Sequence, residues 1–256
     1  MKFIYVISAK RLKQILIIVA AIVLTAGIGY AERDSISAFA EGASTQAPQA
    51  IYKVDTKEKK IALTFDISWG ETRALPILEV LKEKKVNKAT FFLSSPWSQR
   101  HPDILKRIKE DGLEIGSHGH KHDNYTKYSD EEIRSQMAKA DSILSEMTGK
   151  KPTLIRMPNG DFDKRVLEIA NRMGYTVIQW DTDSKDWTNP GTDVIINNVL
   201  SKAHPGDIIL MHASDSAKDT HLALPVIIDQ LRKDGYEFVT VSELISGTSV
   251  DSKEIH

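Results

Sequence analysis

The chain has no cysteine, which excludes a disulfide framework, a thiolate metal site and a cysteine nucleophile; any metal must be held by His, Asp or Glu. It also lacks a charge excess, with 34 basic and 35 acidic residues. Residues 1–40 hold five of the bases and two of the acids, so they carry +3 and the remainder −4. A mildly acidic main domain without a basic stripe argues against nucleic acid as a partner. Only one long apolar run exists, so the chain is not a multi-pass membrane protein. No glycine-rich phosphate loop follows the first apolar strand, which weakens a nucleotide-binding open sheet. What is present is 256 residues, 41% of them hydrophobic, enough to bury one large core or two small ones.

The apolar run covers residues 15–31 and follows Lys10, Arg11 and Lys13. It is long enough to cross a bilayer as a helix, and its basic flank follows the positive-inside rule. A cleavable signal is the competing reading, because Ala38-Phe39-Ala40 has the small-x-small form of a cleavage site. Retention is favoured: the run is longer than a usual signal core, and Ala38 lies beyond several polar residues. The expected layout is therefore residues 1–31 as a basic N-terminus with a hydrophobic anchor or signal, and 32–50 as a flexible linker. Residues 51–247 form the folded domain, and 248–256 a polar tail. Either reading exports the domain, as a single-pass membrane protein or as one secreted after cleavage near Ala40.

Within the domain, short β-branched and aromatic runs at 61–66, 90–93, 113–117, 154–156, 176–180, 207–212 and 237–240 alternate with helical patterns. Ser129-Asp130-Glu131-Glu132 reads as a capping box opening a helix that stops at Gly149. Further helices are expected at 163–173, 192–203 and 222–234. Strand followed by helix, repeated seven times, predicts parallel strands with right-handed crossovers. Asp66, His118, Arg156, Asp181 and His212 each fall at or just past the carboxyl end of a different strand. An open sheet would spread them along an edge; a barrel gathers them at one mouth, which favours the barrel.

His118-Gly119-His120-Lys121-His122 packs three of the eight histidines into five residues. His118 and His122 are four apart, so on a helical turn they would share a face and chelate one divalent ion. His120 is out of phase with them and suits a supporting or surface role. Asp66 ends an apolar strand, where it is either a helix cap or a site residue. Ser68 and Thr72 could cap more cheaply. Arg156 ends another strand, and Asp66 is its natural partner across the mouth. Residues 180–187, with two tryptophans and three acids, read as a surface turn or as a groove wall with one acid orienting a histidine. His212, behind four apolar residues, is either a satisfied core histidine or a general acid.

Taken together and in order, Thr64-Phe65-Asp66, His118-x-x-x-His122, Arg156-x-x-x-Gly160, Asp183-x-x-Asp186-Trp187 and Leu210-x-His212 resemble the five motifs of the polysaccharide deacetylase (NodB-homology) family. The likeness covers residues 60 to 245. The basic N-terminus and the Thr-Phe-Asp-Ile-Ser start are most similar to its sporulation branch in spore-forming bacilli. The resemblance implies an α/β fold, a distorted (β/α)7 TIM-like barrel. It also implies metal-dependent removal of N-acetyl groups from cell-wall amino sugars, with peptidoglycan or another N-acetylated glycan as partner and the membrane as anchor. By the same resemblance Asp66 matches the catalytic base, Arg156 its partner, and His118 and His122 the ligands of a divalent ion, expected to be zinc. His212 matches the catalytic acid and Asp186 the group that orients it, while Trp187 and Leu210 would hold the acetyl methyl.

One position departs. The family's second aspartate, a third metal ligand, is Ile67 here. Three protein ligands are normal for catalytic zinc. The ion could be held by two histidines and water, or by a substitute such as Ser68 or Glu71, or the site could be metal-poor and silent. The first two leave an enzyme; the third leaves a glycan-binding spore-wall protein. Ester hydrolysis, or hydrolysis of a cyclic amide, is a further alternative.

Overall fold

The structure, a computed structural model, describes residues 49–246 and the backbone of 250–253. All of them belong to one compact unit, 48–256. The expected anchor or signal and most of the linker lie outside the described residues. Among the described residues no helix is long and apolar enough to cross a membrane.

Ten strands alternate with eight helices among the described residues. In chain order they are β1 (Ala50–Val54), β2 (Lys60–Ile67), α1 (Ala74–Glu83), β3 (Thr90–Leu93), α2 (Ser95–Arg100), α3 (Pro102–Glu110), β4 (Glu114–Ser117), α4 (Asp130–Thr148) and β5 (Leu154–Ile155). Then follow α5 (Lys164–Arg172), β6 (Thr176–Ile178), β7 (Thr182–Asp183), α6 (Thr192–Leu200), β8 (Ile208–His212), α7 (Thr220–Lys233), β9 (Glu237–Phe238), α8 (Val241–Ile245) and β10 (Val250–Lys253). All seven expected strands exist, with ends moved by a residue or two. The expected polar tail contains β10, which pairs antiparallel with β1.

The order across the sheet is β10-β1-β6-β5-β4-β3-β2-β8-β7, with β9 beside the start of β2. Every pair from β1 to β7 along this path is parallel. The path is open, a parallel α/β half-barrel rather than an even ring of seven strands. It curls back through residues 179–181. Gln179 N–H donates to Ile51 O of β1, and Asp181 N–H donates to Ile208 O of β8 (2.7 and 3.1 Å). One extended stretch thus serves β1 at its start and β8 at its end.

Burial explains the central strand. Seven of the eight residues of β2 are buried, as expected for a parallel strand covered on both faces. Ile61, Leu63, Phe65 and Ile67 pack into the apolar layer with Ala74, Ile77 and Leu78 of α1. Thr64 and Asp66 alternate to the other face and point toward Arg156. The helix punctuation holds too. Ser129 and Glu132 form the capping box of α4, and Gly149 closes it at φ 79°, a conformation glycine adopts without steric cost.

Candidate active site at the carboxyl ends of the strands

Asp66 and His212 are register partners on β2 and β8, adjacent parallel strands. Parallel neighbours lie about 4.8 Å apart, so both side chains reach one cavity of about 360 Å³. His118, His122, Trp187 and Leu210 line it as well.

Arg156, fully buried, donates through one amino group to Asp66 Oδ1 and Thr64 Oγ1 (both 2.8 Å) and through the other to Gln179 O (3.0 Å). Its guanidinium lies over the Phe92 ring, 4.2 Å from the centroid. Burial alone would raise the Asp66 pKa, but Arg156, His118 and His212 outweigh it and the net shift is downward. Asp66 is therefore a carboxylate at neutral pH. Such a buried pair contributes little net stability, because desolvation offsets the attraction.

His118 Nδ1–H donates to Arg156 O (2.8 Å), which leaves the Nε2 lone pair facing Asp66 Oδ2 at 3.8 Å. Burial, followed by the neighbouring His122 and Arg156, pushes its pKa down to about 4 against the pull of Asp66. A neutral imidazole with a free Nε2 is what metal ligation requires. The His122 ring lies 5.3 Å from it, centroid to centroid, and burial lowers the His122 pKa as well.

The two histidines meet for a different reason than their spacing suggests. Residues 118–122 are irregular, and no helical turn forms. Gly119 turns the chain at φ 74°, where an added Cβ would stand 2.4 Å from Tyr125 Oη. His120 turns away to Ser95 Oγ (2.8 Å), in keeping with a supporting role.

Across the cavity, Asp186 is fully buried in a short turn, Asp186–Thr188. Its Oδ1 accepts His212 Nδ1–H (2.8 Å), and its Oδ2 accepts His212 N–H and Thr220 Oγ1–H (both 2.7 Å). Burial lowers the His212 pKa, but the Asp186 hydrogen bond and charge outweigh it, aided by Asp66 and Asp183, so the net shift is upward. His212 Nε2 is left for the cavity. Leu210 is buried beside it, while Trp187 is half exposed.

Three expectations are corrected. Asp181 does not join the site. It sits at the base of β8, bonded to Lys53 (3.1 Å) and His204 (2.8 Å); Asp183, further along toward the mouth, lines the cavity instead. Neither Ser68 nor Thr72 caps α1 with its side chain. Asp215 accepts the N–H groups of Glu71, Thr72 and Arg73. Glu71, mostly exposed and facing His101 at 3.5 Å, is not a substitute ligand, whereas Ser68 lines the cavity. Ile67 itself packs into the apolar layer and does not line the cavity.

For a divalent ion, the donors at hand are two imidazoles beside the Asp66 carboxylate. Among the described residues no group of three or more His, Asp, Glu or Cys forms a ready ligand set. The imidazoles fit a metal; the third protein donor is missing.

Sequence reasoning gave no role to Thr64, Thr220 or Asp215. Thr64 was legible, since it shares a strand face with Asp66. The others sit far along the chain from the groups they serve.

The sequence pattern of the family described as Polysaccharide deacetylase matches residues 53–178, which include Asp66, both histidines and Arg156 but not Asp186 or His212. A peptidoglycan-N-acetylglucosamine deacetylase of Bacillus cereus is 36% identical over 197 residues, 76% of this chain and 92% of that protein. The chain belongs to the polysaccharide deacetylase family, hydrolases of amide bonds. The uncharacterized protein YlxY of Bacillus subtilis is 33% identical over 201 residues, and there the match spans 78% of this chain and 62% of the relative. Among solved structures, a CE4 family pseudoenzyme from Bacillus anthracis aligns with TM-score 0.74 at 34% identity, covering 82% of this chain and 74% of that one. A mutant of that pseudoenzyme with restored enzymatic activity aligns with TM-score 0.73 at 36% identity over 78% and 72% of the two chains.

Proposed function

We propose that this chain is an exported, metal-dependent deacetylase that removes N-acetyl groups from peptidoglycan amino sugars during spore formation, most like the sporulation deacetylase PdaB. In this reading residues 15–31 hold it to the membrane with the domain outside the cytoplasm. The supporting observation is the facing pair Asp66 and His212, one held as a carboxylate and the other biased toward imidazolium, in a single cavity with two neutral-leaning imidazoles. Groups whose environments push their pKa values apart serve as base and acid of one reaction.

His118 and His122 would hold the ion, zinc being the expected one. A bound divalent ion polarises a carbonyl and lowers the pKa of water. Asp66 takes a proton from the attacking water as its oxygen adds to the acetyl carbon. Arg156 keeps Asp66 oriented and ionised until that transfer. His212, held by Asp186, gives its Nε2 proton to the leaving amine as the C–N bond breaks. The products are acetate and a free amino sugar. Trp187 and Leu210 offer an apolar wall for the acetyl methyl.

A second reading is favoured by Ile67 and by the likeness to a pseudoenzyme: a glycan-binding wall protein with little or no turnover. Acetate release from peptidoglycan and chitin oligomers, with metal analysis of the same protein, separates the two. Acetate release with bound metal supports the enzyme. Glycan binding without acetate, at saturating zinc, supports the silent protein.

A further inference from the structure

Every strand from β1 to β8 runs in one direction, so the loops that enter the strands share one face, opposite the cavity. On β2, Lys60 starts at that face and Asp66 ends at the mouth, about 20 Å away at the usual rise per residue. Residues 1–48 join the domain at this face, because β1 enters the sheet there at Ala50.

Three concavities of about 400, 200 and 360 Å³ lie along it. The first two share Lys85, Val86 and Asn87, and the last two share Leu113, so they form one groove. Leu78, Leu81, Val86 and Leu113 give it an apolar floor, and seven cations against three acids line it. The cations come from Lys82 to Lys88, Lys109, Lys150 with Lys151, and Arg232, stretches far apart in the chain, which is why the sequence shows no basic stripe.

Two of the three acids are occupied within the protein. Asp111 accepts Arg107 Nε–H (2.6 Å), and Glu114 accepts Thr90 Oγ1–H and Ser242 N–H (2.7 and 3.3 Å). Lys88 and Lys151 pair with Glu243 and Asp141, outside the lining (2.9 and 3.0 Å). The other cations keep their charge uncompensated. Lys109 donates to Met147 O (3.0 Å), Arg232 donates to the carbonyls of Lys84 and Lys85, and exposed Lys85 and Lys150 have no acid partner among the described residues. The helix macrodipole accounts for cations in the last helical turns, Lys82, Lys109 and Arg232, but not for those in the loops.

Lys85 shows most directly that the charge is kept for its own sake. It follows the carboxyl end of α1 at φ 52°, in the left-handed region. The left-handed residues that end α3, α4, α5 and α7 are Gly112, Gly149, Gly174 and Gly235, which adopt that conformation without steric cost. At the centre of the groove a lysine takes that place against backbone preference, a mark of a functional side chain.

From this we infer that the groove docks the domain on an anionic phospholipid surface, with lipid phosphates between the lysines. Basic groups are drawn to such a surface within about a Debye length of it. The inference rests on the proposed anchoring by residues 15–31. Docking at this face turns the mouth bearing Asp66 and His212 away from the bilayer, toward the wall.

The test is lysine footprinting of the full chain reconstituted in vesicles of phosphatidylcholine, alone or mixed with phosphatidylglycerol. An amine-acetylating reagent is applied and each lysine is read by mass spectrometry. In the anionic vesicles Lys85, Lys88 and Lys150 should react about fivefold more slowly, the equivalent of about 1 kcal/mol. Lys121, Lys164 and Lys185, at the mouth, should react equally in both. Salt at about 1 M should remove the difference, because it shortens the Debye length to about 3 Å. Lys85→Glu with Lys150→Glu should abolish the protection of Lys88 with melting temperature little changed, since both side chains are exposed. Equal reactivity in the two vesicle types overturns the docking and leaves the deacetylase reading standing. If soluble poly(glycerol phosphate) then protects the same lysines, the groove belongs to a wall polymer instead. Failure of the chain to enter either vesicle overturns the anchored reading as well.

Discussion

On the acid side of the cavity, both Asp186 oxygens are occupied by groups from β8 and α7, and His212 has one nitrogen fixed and one directed at the cavity. On the side proposed to hold the metal, His118 is equally well fixed through Arg156 O, but position 67, where the family resemblance leads one to expect a carboxylate, is an isoleucine in the apolar layer. One half is complete and the other lacks a donor. Under the proposed function the contrast predicts weakened metal affinity with the proton-transfer pair kept.

The largest effect that would test this contrast is on turnover. His212→Asn should lower acetate release by about 10²- to 10⁴-fold, the usual contribution of a general acid, with metal content unchanged. His118→Ala should instead remove the metal. Metal loss in the His212 variant would erase the division into halves, as inductively coupled plasma analysis would reveal.

Ile67→Asp probes the metal side directly. Ile67 is fully buried among apolar side chains, so a carboxylate there should destabilise the metal-free protein by a few kcal/mol, about 2 or more in thermal unfolding. Added zinc should recover part of that loss, and zinc affinity should rise by about tenfold or more as a third donor joins. A variant whose stability ignores zinc would mean that the introduced carboxylate stays in the apolar layer and that the backbone itself keeps a third donor from the metal side.

A smaller effect concerns pH. The His212 pKa is raised, and a general acid works only while protonated, so activity should fall on the alkaline side as pH passes through that raised value. Asp186 supplies the largest upward pull, so Asp186→Asn should move the alkaline limb of the rate profile to lower pH. An unmoved limb would assign it to some other group.

The smallest effect lies outside the site. His204 has a raised pKa: burial opposes it, but Pro205 O, Asp207 and Asp181 together favour the charged ring. A histidine with a raised folded pKa adds stability that is fully present below its unfolded value near 6.5 and is lost as pH rises through the folded value. Buried Asp207, pushed up to about 6 chiefly by burial, acts in the same direction, since folding favours its protonated form. These two groups therefore add a contribution to stability that declines as pH rises from about 4 past 6.5, opposed over the same span by His118, whose pKa of about 4 makes folding favour its neutral form, so it is read as the difference in melting temperature between variants. His204→Gln should flatten the upper part of that decline, with catalytic pH dependence unaffected.

Much of the site was legible because it rides on strand ends. An apolar run ending in Asp66, Arg156 or His212 announces both the strand and the polar residue at its mouth, and each such pattern is local. The same reasoning placed Asp181 wrongly, since the strand it ends crosses from β1 to β8 within three residues. Sequence periodicity carries no sign of that crossing. It also gave His118 and His122 a helical turn that Gly119 prevents.

The order of chemistry-bearing residues, the capping box of α4, the stop at Gly149 and the parallel α/β class could all be read from the chain alone, because caps, glycine dihedrals and alternation act over a few residues. Only the packed molecule shows that Asp66 and His212 face each other, that Asp215 caps α1, and that Ile67 turns from the cavity into the apolar layer. Those outcomes depend on inter-strand register and on which face of β2 is covered by α1, both set by packing between segments far apart in the chain.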